Sequence, residues 1–215
     1  EELGATFGAT IVEAMRKDAL KNAFCIATDA TGIAIQPVPN KEVGRQPCRR
    51  GHFFVQVADK DHVFFEYTPK ETSAAVGDMF KGFSGYVQAD AKSVYDILFR
   101  GAAEGEVEPD DVIEGTRQEI ACWSHARRGL WEAAIAKNAV AREGLFRMHR
   151  IFELDGSWAD KPPNDIQRLR TSHLALHVDA FLAWAETEYE KVEHQRGYLR
   201  KGLGYIVRQS AALRR

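Results

Sequence analysis

The sequence is poor in cysteine and has no long apolar run, and each shortage excludes a class of protein. Its three cysteines, Cys25, Cys48 and Cys122, are too few and too odd in number for a disulfide scaffold, so we expect a reducing, cytoplasmic setting. No apolar run reaches the roughly 18 residues of a membrane-spanning helix. The first residues lack the basic-then-apolar pattern of a signal peptide, and the missing initiator Met predicts a fragment of a longer protein.

The sequence also lacks an excess of charge of one sign. A formal net charge of −2 argues against a protein that coats nucleic acid through bulk charge. There is no Pro/Gly/Ser-rich linker and no internal repeat. The hydrophobic fraction of 45% supports a packed core. We predict an N-terminal helix over 1–21, an α/β core over 22–135 and a helical extension over 136–215.

Apolar runs in the α/β part predict strands that alternate with short helices. The run from Phe24 to Thr28 is typical of a buried strand that ends at Asp29. The elements predicted after it are, in order, a hairpin (53–58 and 62–67), a helix (71–80), a strand (85–89), a short helix (92–99), an acidic loop (103–117) and a strand (119–122). This is the element order of the ribonuclease H-like fold, a mixed five-stranded sheet flanked by helices.

The order of the strands indicates a metal-binding role for two aspartates. Asp29 follows the first strand and Asp90 follows the fourth, and these strands are neighbours in that fold. Carboxylates so close together repel each other, and a divalent cation such as Mg²⁺ removes the conflict. A two-metal site activates an attacking oxygen and stabilises a leaving one at phosphorus. The alternative is that each aspartate only forms a turn or caps a helix.

Four sequence blocks resemble insertion-sequence 66 family transposases. Phe83 to Asp96 is similar to the block G-Y-L-Q-A-D-G-Y-x-x-Y-N, and Cys122 to Arg128 is similar to C-W-A-H-A-R-R. Ala27 to Gly32 and Leu203 to Tyr205 resemble two weaker blocks, A-D-E-T-P and L-G-x-A-I-x-Y. The chain departs from these blocks at Ala30, Gly32 and Ala91, and both aspartates are kept.

The resemblance implies a DDE-type DNA transposase that cleaves transposon ends and joins them to target DNA. It makes Asp29 the first catalytic acid and metal ligand and Asp90 the second, with two Mg²⁺ or Mn²⁺ ions in the complete site. The third acid, a Glu in a D-N-N-x-x-E-R block, is absent from the sequence and is expected beyond Arg215. The implied partner is DNA, bound by a homo-oligomer and without a membrane.

Further residues have a functional and a structural interpretation. Cys48 with His52 and Cys122 with His125 together have the residue types of a Cys₂His₂ zinc set, but Cys122 can instead pack in the core. We interpret Cys122 and His125 as a structural element near the active site. The basic pairs are phosphate contacts or solvated surface: Arg49, Arg50, Arg127 and Arg128. The four tryptophans are interpreted as packing residues.

Two other functions are compatible with the same residues. A ribonuclease H-like nuclease would hydrolyse nucleic acid with nearly the same metal site but would not join strands. An inactive transposase remnant would keep the fold and act as a binding module.

Overall fold

The computed structural model describes residues 4–37, 46–99 and 117–215, so residues 103–116 of the predicted acidic loop lie outside the described residues. The chain divides into two compact units, Glu1–Ile120 and Ala121–Arg215. Compact packing does not test the predicted domain boundaries, which stay predictions. In the described part of the chain, no helix is long and apolar enough to cross a membrane.

The first unit is a sheet with short helices. A π-helical turn, Gly4–Gly8, leads into α1, Ala9–Asn22. The elements that follow are β1 (Cys25–Ile35), β2 (Arg49–Ala58), β3 (His62–Thr68), α2 (Ser73–Met79), β4 (Tyr86–Ala89), a 3-10 helix (Ser93–Leu98) and β5 (Gln118–Ala121). The described strands form one sheet in the order β3-β2-β1-β4-β5. β2 is antiparallel to β1 and β3, and β4 is parallel to β1, so the predicted mixed sheet of a ribonuclease H-like fold is confirmed.

The first strand is longer than predicted, which corrects the position of one site residue. β1 continues to Ile35, so Asp29 lies within the strand and not at its end. β2 pairs with β1 from Ile26 opposite Ala58 to Ile35 opposite Arg49. This pairing satisfies the backbone of the residues after Asp29, none of which is buried, and Thr31 and Gly32 interrupt the apolar run there. For the same reason Arg49 and Arg50 begin β2 instead of preceding it.

The core of the first unit lies between the sheet and the helices. Alternate residues of neighbouring strands point inward, as the pleat requires. The largest fully buried side chains of this core are Ile26, Phe54, Phe64, Phe80, Phe83 and Tyr95. At about 1.5–3 kcal/mol for each large apolar side chain removed from water, this cluster is a main stabilising term of the unit.

Polar contacts fix α1 on the sheet. The Arg16 guanidinium donates to Glu66 Oε1 over 3.3 Å and to the backbone oxygen of Asp78 over 2.9 Å. The fully buried amide of Gln56 donates to the same Glu66 oxygen over 2.6 Å. Burial raises the pKa of Glu66, and its bonds to Arg16 and Gln56 only partly oppose the rise.

The second unit is helical, as predicted for this part of the chain. Its helices are α3 (Trp123–Ile135), α4 (Ala139–Gly156), α5 (Pro163–Leu169), α6 (Ala175–Glu190), α7 (Tyr198–Arg208) and α8 (Ser210–Arg214), with a π-helical segment at Arg170–Leu174. α3 and α7 cross where Gly129 faces Gly202. A Cβ on Gly202 would lie 2.7 Å from the carbonyl carbon of Gly129, so the helices approach with no room for a side chain.

Candidate active site

The strand register brings Asp29 and Asp90 together. In the parallel pair of β1 and β4, Ala27 lies opposite Gln88. Asp90 directly follows β4, and the same register continued two residues past this pair would place Asp29 opposite Asp90. Neighbouring strands are about 4.8 Å apart, and residues in register point to the same side of a sheet. The pairing of the strands agrees with the predicted meeting of the two carboxylates, which stays a prediction.

Lys92 and Glu71 join this pair, and the sequence did not reveal either. The Lys92 ammonium donates to Glu71 Oε1 over 3.2 Å and lies 3.6 Å from Asp90 Oδ2. Burial lowers the pKa of Lys92, but the hydrogen bond to Glu71 and the charges of Asp90, Glu71 and Asp29 outweigh it, so the pKa is raised. All three carboxylates thus act electrostatically on one ammonium group.

A buried tyrosine lies beneath the carboxylates. Tyr95 is 1% exposed, and its hydroxyl makes no hydrogen bond with the described residues. Burial raises its pKa, and the charges of Asp90, Asp29 and Glu71 raise it further. The Thr28 hydroxyl is near enough to lower this pKa but is itself buried and outside hydrogen-bond geometry. The charges of all three carboxylates therefore act on the Tyr95 hydroxyl, which has no hydrogen-bond partner among the described residues.

The local backbone orients the two aspartates differently. Asp29 is exposed, and its Oδ1 accepts from the backbone N–H of Ala30 over 2.8 Å. The Asp90 side chain is only 13% exposed, and its Oδ1 accepts from the backbone N–H of Lys92 over 3.3 Å. One carboxylate is thus open to solvent, and the other is held in the turn that follows β4.

The donor set fits a hard divalent cation. Asp29 and Asp90 offer carboxylate oxygens, the ligands that Mg²⁺ and Mn²⁺ prefer. An ammonium already lies within 3.6 Å of Asp90, which shows that this carboxylate can accommodate a cation. Within residues 4–37, 46–99 and 117–215, no three His, Cys, Asp or Glu side chains form a group that could hold a metal ion. The described residues therefore supply two carboxylates and no complete ligand set.

The four residues of the zinc interpretation are divided between the two units of the chain. Cys48 is exposed, and the His52 ring Nε2 lies 3.8 Å from Glu71 Oε2. In the second unit, Cys122 is half-buried at the start of α3, and its carbonyl oxygen accepts from the backbone N–H of His125 over 3.1 Å. The His125 ring lies 6.4 Å from the ring of Tyr205. These contacts do not test the zinc interpretation, which stays a prediction.

The basic pairs are accessible. Arg49 and Arg50 are exposed at the start of β2, and Arg127 and Arg128 are exposed on α3. The Arg127 guanidinium stacks over the Trp131 ring at 5.5 Å. Their predicted contact with DNA is not tested by these positions and stays a prediction.

Three of the four tryptophans pack as predicted. Trp123 donates its indole N–H to the carbonyl oxygen of Leu213 over 3.1 Å and lies 5.7 Å from the Phe181 ring. Trp184 stacks on Phe181, and Trp158 is 8% exposed. Trp131 differs because it is 48% exposed.

Sequence comparisons agree with the geometry. The fold and the facing carboxylates define a ribonuclease H-like α/β unit followed by a helical unit. The family model for the Transposase IS66 family matches residues 5–215, and the chain belongs to that family. The family is one of DNA transposases. Comparisons with curated proteins and with solved structures gave no match.

Proposed function

We propose that this chain is the catalytic core of a transposase that cleaves transposon ends and joins them to target DNA. The observation that supports the proposal is the β1–β4 register, which would set Asp29 opposite Asp90 if it continued two residues past Ala27 and Gln88. The pair stands beside a buried, unbonded hydroxyl and within reach of a single ammonium, which is the electrostatic setting of a cation site.

The metal chemistry of the site would depend on both aspartates. Asp29 and Asp90 would hold two Mg²⁺ or Mn²⁺ ions with a third acid, and such ions activate an attacking oxygen and stabilise a leaving one. The sequence contains no D-N-N-x-x-E block to supply that acid. With two carboxylates only, we expect this chain by itself to bind metal weakly and not to cleave DNA. Tight, stoichiometric Mg²⁺ binding would contradict this expectation.

Positioning of DNA would come from accessible cations. Arg127 and Arg128 are exposed on α3, and Arg49 and Arg50 are exposed on β2. Arginine binds phosphate oxygens in a fork and carries no sequence information through such contacts. We propose that these residues hold the DNA backbone, that the complete protein acts as a homo-oligomer on DNA, and that it works in the cytoplasm.

The test is substitution of each aspartate in the complete transposase. Asp90→Asn and Asp29→Asn should each reduce cleavage of a transposon-end oligonucleotide to background, because an amide is a poor metal ligand. The matched control is Asp61→Asn, an exposed aspartate in the β2–β3 turn, which should cleave as the wild type does. Cleavage that survives Asp90→Asn would refute the assignment.

A second substrate separates transposase from nuclease. An oligonucleotide with an already cut end should be joined to target DNA by the wild type and not by Asp90→Asn. Hydrolysis without joined product would favour the nuclease, and neither activity would favour an inactive remnant. The fold should be kept, since exposed substitutions such as Asp29→Asn change the free energy of unfolding by less than about 0.5 kcal/mol.

A further inference from the structure

Lys92 occupies the place beside Asp90 where a bound cation would be expected. Its ammonium is 3.2 Å from Glu71 Oε1 and 3.6 Å from Asp90 Oδ2, and its backbone N–H donates to the other Asp90 oxygen. The side chain is 43% exposed, so its flexible stem is free to move the ammonium away from Asp90. Glu71 is the nearer carboxylate, and it would keep the ammonium after such a movement.

An independent observation marks the same spot as a site. The Tyr95 hydroxyl is buried and unbonded among the described residues, and the charges of Asp90, Asp29 and Glu71 act on it. A buried hydroxyl without a partner is costly. A hydrated cation at the carboxylates would bring water oxygens that can bond to it, which Lys92 does not do here.

We propose that the Lys92 ammonium is a built-in counter-cation of the Asp29, Glu71 and Asp90 carboxylates that competes with a divalent metal ion for Asp90. The inference rests on the proposed metal site and adds a residue that sets its affinity. Without metal, Lys92 offsets the repulsion among the three carboxylates. When a divalent ion binds, the ammonium withdraws to Glu71, and the cost of that withdrawal keeps the affinity low.

The experiment measures Mn²⁺ binding to the purified chain by the electron paramagnetic resonance signal of the free ion. Lys92→Met keeps the length of the side chain and removes its charge. The dissociation constant should fall about tenfold, because a unit charge a few ångströms from a divalent ion is removed from a partly solvated site. The control Lys60→Met, an exposed lysine in the β2–β3 turn, should bind as the wild type does. Equal affinity of Lys92→Met and the wild type would overturn the inference.

Two further variants separate this inference from the proposed metal site. Asp90→Asn should lose the binding that the wild type shows. If Asp90→Asn and the wild type bind alike, the proposed metal site fails and the inference fails with it. If Asp90→Asn loses binding but Lys92→Met matches the wild type, the inference alone fails. Lys92→Arg, which keeps the charge, should stay close to the wild type, and a tenfold gain there would also overturn it.

A metal-free readout does not depend on binding affinity. Without divalent ions, Lys92→Met should unfold at a lower temperature than the wild type, because three carboxylates lose their counter-charge. Saturating Mn²⁺ should remove this difference. A metal-free Lys92→Met protein as stable as the wild type would contradict the role of Lys92 as counter-cation.

Discussion

The close crossing of α3 and α7 allows us to predict how much stability is lost when a single methyl group is added there. In Gly202→Ala, the new Cβ would lie 2.7 Å from the carbonyl carbon of Gly129, 2.8 Å from its oxygen and 3.0 Å from the backbone nitrogen of Leu130. All three are backbone atoms of α3, so no side-chain rotation relieves the clash. The two helices must move apart, and the packing of the buried residues beside the crossing loosens with them.

Two opposing terms set the size of the effect. Overpacking a tight site costs about 1–3 kcal/mol, and contacts with backbone atoms that cannot rotate away place this case at the upper end. Replacing Gly by Ala inside a helix recovers about 1 kcal/mol. We therefore expect Gly202→Ala to lose about 2 kcal/mol of the free energy of unfolding. The free energy of unfolding falls by about 1–2 kcal/mol per molar urea, so the midpoint of urea unfolding should fall by about 1–2 M.

Tryptophan fluorescence is the suitable probe, because all four tryptophans lie in the helical unit. The matched control is Gly156→Ala at the end of α4, where a Cβ would meet no atom within 4 Å. That variant should be unchanged or more stable by up to about 1 kcal/mol. A Gly202→Ala protein as stable as the wild type would show that the crossing is looser than the structure has it.

Two predictions concern the sheet unit. Glu66 has a raised pKa, so its stabilising contribution is present below the unfolded pKa and is lost as pH rises through the folded pKa. The non-titrating variant Glu66→Gln should therefore gain stability relative to the wild type as pH rises above about 4. Urea unfolding followed by circular dichroism measures this, and a constant difference would contradict it. Asp59 has a φ of 50° and accepts from the backbone N–H groups of Phe24 and Cys25 at 2.8 Å and 2.9 Å. Asp59→Ala should cost about 1–3 kcal/mol in the same assay, while Asp59→Asn, which keeps an acceptor and tolerates this φ, should cost less.

The sequence was sufficient for the sheet order because apolar runs separated by turns mark strands directly. The hairpin of β2 and β3 and the parallel β1–β4 pair followed from that pattern. The end of β1 did not, because Asp29, Thr31 and Gly32 interrupt the apolar run while pairing with β2 continues the strand.

Only part of the candidate site could be predicted from the sequence. Asp29 and Asp90 each adjoin an apolar strand, and strand order brings them together. Glu71 and Lys92 are 21 residues apart in the chain, and their ion pair depends on how the turn after β4 returns toward the start of α2. Position 92, two residues after Asp90, was the one available signal, but a lone lysine in a polar turn is usually solvated.

The register of β1 on β4 links metal binding to correct strand pairing. A slip of one residue would send the side chain of Asp29 to the opposite face of the sheet and separate it from Asp90. A divalent ion held by both aspartates would stabilise only the correctly paired sheet, by mass action. Metal binding would then distinguish correctly folded molecules from misfolded ones, since a molecule with normal secondary structure but shifted strand pairing would fail to bind the ion.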